Sequence, residues 1–96
     1  MKLLTIRING KVQGVFFRAS AKDKADELDV RGIVRNEPDG SVYIEAEAAE
    51  ENLNKFIVWC RKGPARARVM TIVIDEKPEK GHVGFQIVPY ADEKTT

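Results

Sequence analysis

The sequence has one cysteine, one histidine and no long apolar run, and each shortage excludes a class of protein. A single cysteine cannot form an internal disulfide, so Cys60, within an apolar segment, is interpreted as a buried structural thiol. No stretch is long and apolar enough to span a bilayer, and the charged N-terminal residues do not resemble a secretion signal. We therefore expect a cytoplasmic protein with no membrane role.

The sequence also lacks a surplus of charge of either sign. Sixteen lysines and arginines balance fifteen acidic residues, for a net charge of +1, whereas nucleic-acid-binding proteins usually carry a clear basic excess. We expect no nucleic-acid partner. Ninety-six residues suffice for one hydrophobic core, so residues 1–96 are predicted to form one domain, with a frayed tail over about 89–96.

Apolar periodicity in the first half of the chain predicts a strand, a helix and a hairpin. Alternating aliphatic residues indicate a strand over about 4–12, and apolar residues at helical spacing indicate an amphipathic helix over 17–29. Two extended runs follow, over 30–36 and 42–47. The segment between them, 37–41, contains Pro, Asp and Gly, which favour a chain reversal.

The second half predicts another helix and two more extended runs. The helical pattern covers 49–62 and ends at Gly63-Pro64, and extended segments follow over 69–74 and 85–88. We interpret the order as β-α-β-β-α-β, the ferredoxin-like arrangement. The predicted fold class is α+β, with a four-stranded antiparallel sheet and both helices on one face.

The segment 10–18, which joins the first strand to the first helix, contains glycines and no acidic residue. Such a loop turns backbone N–H groups inward, and the helix N-terminus adds partial positive charge, so the segment suits an anion. Arg18 could grip phosphate oxygens through its planar guanidinium. The residues alone leave two readings open, a phosphate site or a solvated arginine beside a tight turn.

Residues 10–18, Gly-Lys-Val-Gln-Gly-Val-Phe-Phe-Arg, resemble the signature of the acylphosphatase family at each defining position. Residues 32–42 resemble the family's Gly-Trp-Val-x-Asn-x-x-Asp-Gly-x-Val stretch, and the resemblance extends over about 5–87. Two departures are Ile33, which replaces the usual tryptophan, and Asp29, where glycine is common. The same signature also opens the larger carbamoyltransferases of hydrogenase maturation.

The resemblance implies a ferredoxin-like fold and an enzyme that hydrolyses acyl phosphates to a carboxylate and inorganic phosphate by water attack at phosphorus. It implies that Arg18 binds the phosphate and that Asn36 holds the attacking water. From the residues alone, Asn36 is an ordinary asparagine beside a turn. The phosphate-binding loop implied by the family comprises Gln13, Gly14, Val15, Phe16, Phe17 and Arg18.

We expect no metal site and no cofactor, because neither motif offers metal ligands, and His82 is predicted to lie in a solvated loop. The expected partners are a small acyl phosphate as substrate and inorganic phosphate as product and inhibitor, and the chain is expected to be a monomer. The alternative is a non-catalytic regulatory module that binds a phosphate-bearing ligand. An RNA-binding sheet is disfavoured, because the predicted central strands carry aliphatic rather than aromatic residues.

Overall fold

Strands and helices alternate along the chain in a computed structural model, which describes residues 1–89. The elements are β1 (Lys2–Lys11), α1 (Phe17–Glu27), β2 (Arg31–Asn36), β3 (Val42–Ala48), α2 (Glu50–Lys62), β4 (Arg68–Lys77) and β5 (Phe85–Ile87). Each helix and strand predicted from periodicity is present, and their ends agree within a few residues. The predicted tail lies, apart from Pro89, outside the described residues.

The five strands form one sheet in the order β4-β1-β3-β2-β5. Neighbouring strands are antiparallel except β2 and β5, which are parallel. The α+β class is confirmed, whereas the prediction of four strands, all antiparallel, is wrong in the number of strands and the direction of the last. The reason is the path of the chain. β4 finishes at the same end of the sheet as the start of β2, and the chain crosses the sheet at that end. β5 then runs parallel to β2.

Residues 78–84, here called the crossing segment, join β4 to β5 and lie against the sheet at Glu47 of β3. The buried Glu47 carboxylate accepts three successive backbone N–H groups at 2.7, 3.1 and 2.6 Å, from Lys80, Gly81 and His82. Burial by itself would raise the pKa of Glu47, but these hydrogen bonds outweigh it and hold the pKa below its usual value. The ionised Glu47 carboxylate therefore holds the crossing segment against the sheet.

The prediction that His82 lies in a solvated loop is wrong. Its side chain is half-buried against the same face of the sheet. Its Nε2 lies 2.8 Å from a carboxylate oxygen of Glu45, whose other partners are the Tyr43 hydroxyl and the Lys80 ammonium. Burial acts to raise the pKa of Glu45, yet these partners lower it overall. The crossing segment therefore has a polar contact surface on β3 that apolar periodicity does not show.

Both helices pack on the opposite face of the sheet, as predicted. Ile6 and Ile44 lie side by side in the sheet, fully buried beneath the helices, and one continuous core joins them to Phe17, Ala21, Ala25, Leu53, Phe56, Cys60 and Phe85. Cys60 is a buried thiol, as predicted, and burial raises its pKa well above the usual value. Among the described residues, no helix is both long and apolar enough to cross a membrane.

Candidate active site

The loop between β1 and α1 is anchored in the core and strained where it enters the helix. Val12 and Val15 are buried, which anchors the loop at two points. Gly14 has a φ of 73°, and Phe16 has a φ of 66° although it is not a glycine. A bulky residue in the left-handed region costs free energy and is commonest where the backbone has a functional task. The Phe16 side chain is exposed.

The first turn of α1 presents N–H groups that no side chain caps. The first helical hydrogen bond runs from the Ser20 N–H to the Phe16 carbonyl at 3.1 Å, and Phe16 makes no side-chain cap. The preceding N–H groups therefore have no partner within the helix, and they belong to Phe17, Arg18 and Ala19. Because this turn contains no acidic residue, its partial positive charge is available to an anion.

A pocket of about 370 Å³ lies beside this turn and brings together residues from distant parts of the chain. Gly14, Phe16 and Arg18 line it from the loop and helix, Asn36 from the end of β2, and Ile87 from β5. Arg18 and Asn36 belong to separate sequence motifs, and the structure brings them to one pocket. Ile87 was not predicted to line it, because the sequence of the short β5 does not indicate which strand it joins.

Arg18 is exposed, and within residues 1–89 its guanidinium pairs with no carboxylate. A cation in the first turn lowers the stability of a helix by about 0.3–1 kcal/mol, because its charge opposes the helix dipole. A bound anion would reverse this effect, because the anion would lie between the N–H groups and the guanidinium. The placement therefore suits an arginine that acts on a ligand.

Asn36 carries a polar atom without a partner. Its side-chain carbonyl oxygen is buried and accepts no hydrogen bond from any described residue. A buried acceptor left unsatisfied costs about 1–3 kcal/mol, so such atoms in native proteins call for a specific explanation. Because Asn36 lines the pocket, a donor held there, such as a water molecule, would satisfy this oxygen.

The remaining loop residues support the pocket rather than line it with polar groups. The Gln13 side-chain amide donates to the carbonyl oxygens of Glu37 and Ser41, both at 2.9 Å, and so ties the loop to the β2–β3 turn. Phe17 is buried against Trp59, with ring centroids 5.3 Å apart. A side chain at Gly63 would place its Cβ 2.8 Å from the Phe17 ring, so glycine is required at the end of α2.

Within residues 1–89, no group of three or more His, Cys, Asp and Glu side chains is placed to hold a metal ion. Among the described residues, the one charged side chain that lines the pocket is Arg18. What the arrangement offers is therefore hydrogen-bond donors and positive charge for an anion, with one free acceptor beside them.

Comparisons with known proteins agree with this geometry. A sequence model of the acylphosphatase family matches residues 4–87. An acylphosphatase of Methylococcus capsulatus is 44% identical over 81 residues, 84% of this chain and 88% of that protein, and one of Thermotoga maritima is 42% identical over 90 residues, 94% and 100% of the two chains. The crystal structure of the Bacillus subtilis acylphosphatase superposes with a TM-score of 0.90 at 36% identity, over 92% of this chain and 99% of that one. The chain belongs to the acylphosphatase family.

Proposed function

We propose that Arg18 and Asn36 carry out the acylphosphatase reaction of this chain, the hydrolysis of a carboxyl–phosphate bond to a carboxylate and inorganic phosphate. The observation that carries the proposal is the pocket these two side chains share with the unpaired N–H groups at the start of α1. No observation favours the alternative of a non-catalytic regulatory module.

Binding begins with the phosphate group in the loop of residues 13–18. The N–H groups at the start of α1 donate to its oxygens, and the Arg18 guanidinium donates to two of them through its planar fork. Both contacts also stabilise the charge that the phosphoryl oxygens carry in the transition state. The strained backbone at Phe16 holds these donors in position before substrate arrives.

The chemical step needs a water molecule in line with the bond that breaks. The Asn36 carbonyl oxygen, buried and unpaired, accepts a hydrogen bond from this water and orients a lone pair of its oxygen towards phosphorus. A new P–O bond forms, the bond from phosphorus to the acyl oxygen breaks, and its electron pair leaves with the carboxylate. The proton of the water passes to the phosphate, since no acidic or histidine side chain of residues 1–89 lines the pocket.

We further propose that the reaction uses neither a metal nor another cofactor and that the chain works as a cytoplasmic monomer on small acyl phosphates. A carboxylate is a good leaving group and needs little acid assistance, so positioning and charge stabilisation suffice. These functions are within the capacity of Arg18, Asn36 and the loop amides.

The test is hydrolysis of benzoyl phosphate in the presence of a chelator, with inorganic phosphate as inhibitor. We expect turnover that chelation does not reduce and competitive inhibition by phosphate, because the product occupies the same loop. Activity lost on chelation and restored by magnesium would contradict the metal-free mechanism. Binding of phosphate without turnover of benzoyl phosphate would instead support a regulatory module.

A further inference from the structure

A second pocket, of about 690 Å³, lies on the other side of the phosphate loop and is strongly basic. Gly14 is common to both pockets. Three cationic side chains line the second one, Lys11 from the end of β1, Arg66 from the α2–β4 loop and Arg68 from the start of β4. In the part of the chain that the structure describes, no acidic residue lines it. We call this surface the basic pocket.

The three cations lack compensating charge. Lys11 and Arg68 occupy directly opposite positions in the β1–β4 ladder, and like charges placed so are destabilising. Within residues 1–89, none of the three forms an ion pair with a carboxylate. A bound anion would offset the repulsion among these exposed cations.

The strand order places the basic pocket opposite Asn36. β1 and β2 run in the same direction, because both are antiparallel to β3, and β4 runs against β1. The ends of β1 and β2 and the start of β4 therefore meet at one end of the sheet. In the order β4-β1-β3-β2, the loop that follows β1 has Arg68 on one side and Asn36 on the other.

In-line displacement links this placement to the substrate. Water attacks phosphorus on the side opposite the leaving oxygen, so a phosphate held in the loop, with water on Asn36, directs its acyl group away from Asn36. The strand order places the basic pocket on that side of the loop. We propose that Lys11, Arg66 and Arg68 bind a second anionic group on the acyl portion, so that the preferred substrates are acyl phosphates carrying a carboxylate or phosphate of their own.

This inference rests on the proposed function, because the position of the acyl group follows from the roles of Arg18 and Asn36. A different role for the cations is to attract the reacting phosphate or the departing carboxylate. Those groups are present in every acyl phosphate, so under this second role loss of the cations would weaken the binding of all substrates equally. Under the proposed role it would weaken only substrates with a second anion. A pair of substrates that differ by one distant anion separates them.

The experiment compares benzoyl phosphate with 4-carboxybenzoyl phosphate, which differ by one carboxylate remote from the reacting bond. We expect wild-type KM to be lower for the carboxylated substrate by about threefold to fivefold, the upper part of the range for a charge contact at exposed positions. The variant R66Q/R68Q should raise KM for 4-carboxybenzoyl phosphate by a similar factor. Its kcat on both substrates and its KM for benzoyl phosphate should change less than about twofold.

The control is Arg31→Gln, which removes an exposed positive charge at the opposite end of the sheet. It should leave the ratio of the two KM values unchanged. An equal KM for the two substrates in the wild type, or an equal rise for both in R66Q/R68Q, would overturn the subsite. If the wild type hydrolyses neither substrate, the proposed function fails and the subsite fails with it.

Discussion

The side-chain amide nitrogen of Gln13 lies 2.9 Å from the backbone carbonyl oxygen of Ser41 and donates a hydrogen bond to it. The same nitrogen donates to the carbonyl of Glu37, the residue after Asn36. One amide group therefore links the phosphate loop to the turn that follows Asn36. The distance between the loop amides and Asn36 depends on this link, although Gln13 itself does not line the pocket.

Gln13→Ala should lower both stability and turnover, because it removes the two hydrogen bonds that tie the loop to the β2–β3 turn. We expect a loss of about 1–3 kcal/mol in the free energy of unfolding, measured by urea denaturation, and a fall in kcat per folded molecule. Gln86→Ala, at an exposed position on β5, is the matched control and should change neither quantity. An unchanged kcat in Gln13→Ala would show that the link is structural only.

Arg18→Gln should abolish most activity while leaving the fold intact. We expect kcat to fall on the order of 10³-fold and KM to rise, because the guanidinium contacts the phosphate in both ground and transition states. The thermal midpoint without ligand should stay the same or rise, since the change removes a cation from a helix N-terminus.

Arg18→Lys separates charge from geometry, because lysine keeps the charge and loses the planar fork. Its kcat should lie between those of the wild type and Arg18→Gln. Near-normal activity of Arg18→Gln would remove Arg18 from the mechanism.

Asn36→Ala should affect the chemical step far more than phosphate binding. We expect kcat to fall by about 10²-fold or more, the loss typical of one positioned polar group, with a smaller change in KM. Inorganic phosphate should still raise the thermal midpoint of the variant, because ligand binding stabilises the folded state. The inhibition constant for phosphate and the thermal midpoint, measured on one preparation, test this directly.

The unfolding free energy gives a further check on Asn36→Ala. The Asn36 carbonyl oxygen has no partner among the described residues, so its removal should cost little stability. A variant that loses stability but keeps its turnover would mean that Asn36 serves the turn and not the water.

Glu47 should make the stability of the protein depend on pH in the acid range. Because the folded-state pKa of Glu47 lies below its ordinary value of 4.5, the carboxylate stabilises the fold above pH 4.5. This contribution is lost as the pH falls through the folded-state pKa. Glu47→Gln should cost about 1–3 kcal/mol at pH 7, since an amide accepts fewer of the three N–H groups.

Thermal midpoints of the wild type and Glu47→Gln, measured from pH 7 to pH 3, should therefore converge as the pH falls. Glu45, whose pKa is also lowered, causes a loss of stability at low pH too. This loss is common to both proteins and cancels in the difference. A difference that stays constant with pH would show that the hydrogen bonds to Glu47 do not depend on its charge.

Periodicity in the sequence was sufficient to predict the helices and most of the sheet. The spacing of Phe17, Ala21 and Ala25 identifies the buried face of α1, and all three are buried. Glycine spacing and residue type, which are local properties, indicated that the loop and Arg18 suit an anion, whereas Asn36 was singled out only by its resemblance to the family's motif. Local features of this kind can be predicted from the sequence because neighbouring residues along the chain determine them.

Features determined by distant contacts were not predictable in this way. The direction of β5 depends on where the chain crosses the sheet, and its three residues are too few for a pattern. A glutamate in a strand is usually exposed, yet Glu47 is buried because the crossing segment covers it. The partners of Gln13 lie 24 and 28 residues along the chain, and nothing in the intervening sequence indicates them.

The position of β5 also bears on the order of events during synthesis. The ribosome releases residues 85–87 after every other helix and strand, so until then β2 is an open edge strand and the core lacks Phe85. The pocket lacks Ile87 over the same interval. Phe85 packs against Phe56 of α2, with ring centroids 6.0 Å apart, so β5 adds both to the core and to the pocket. During synthesis the pocket therefore gains Ile87 only after the other helices and strands that the structure describes have been made.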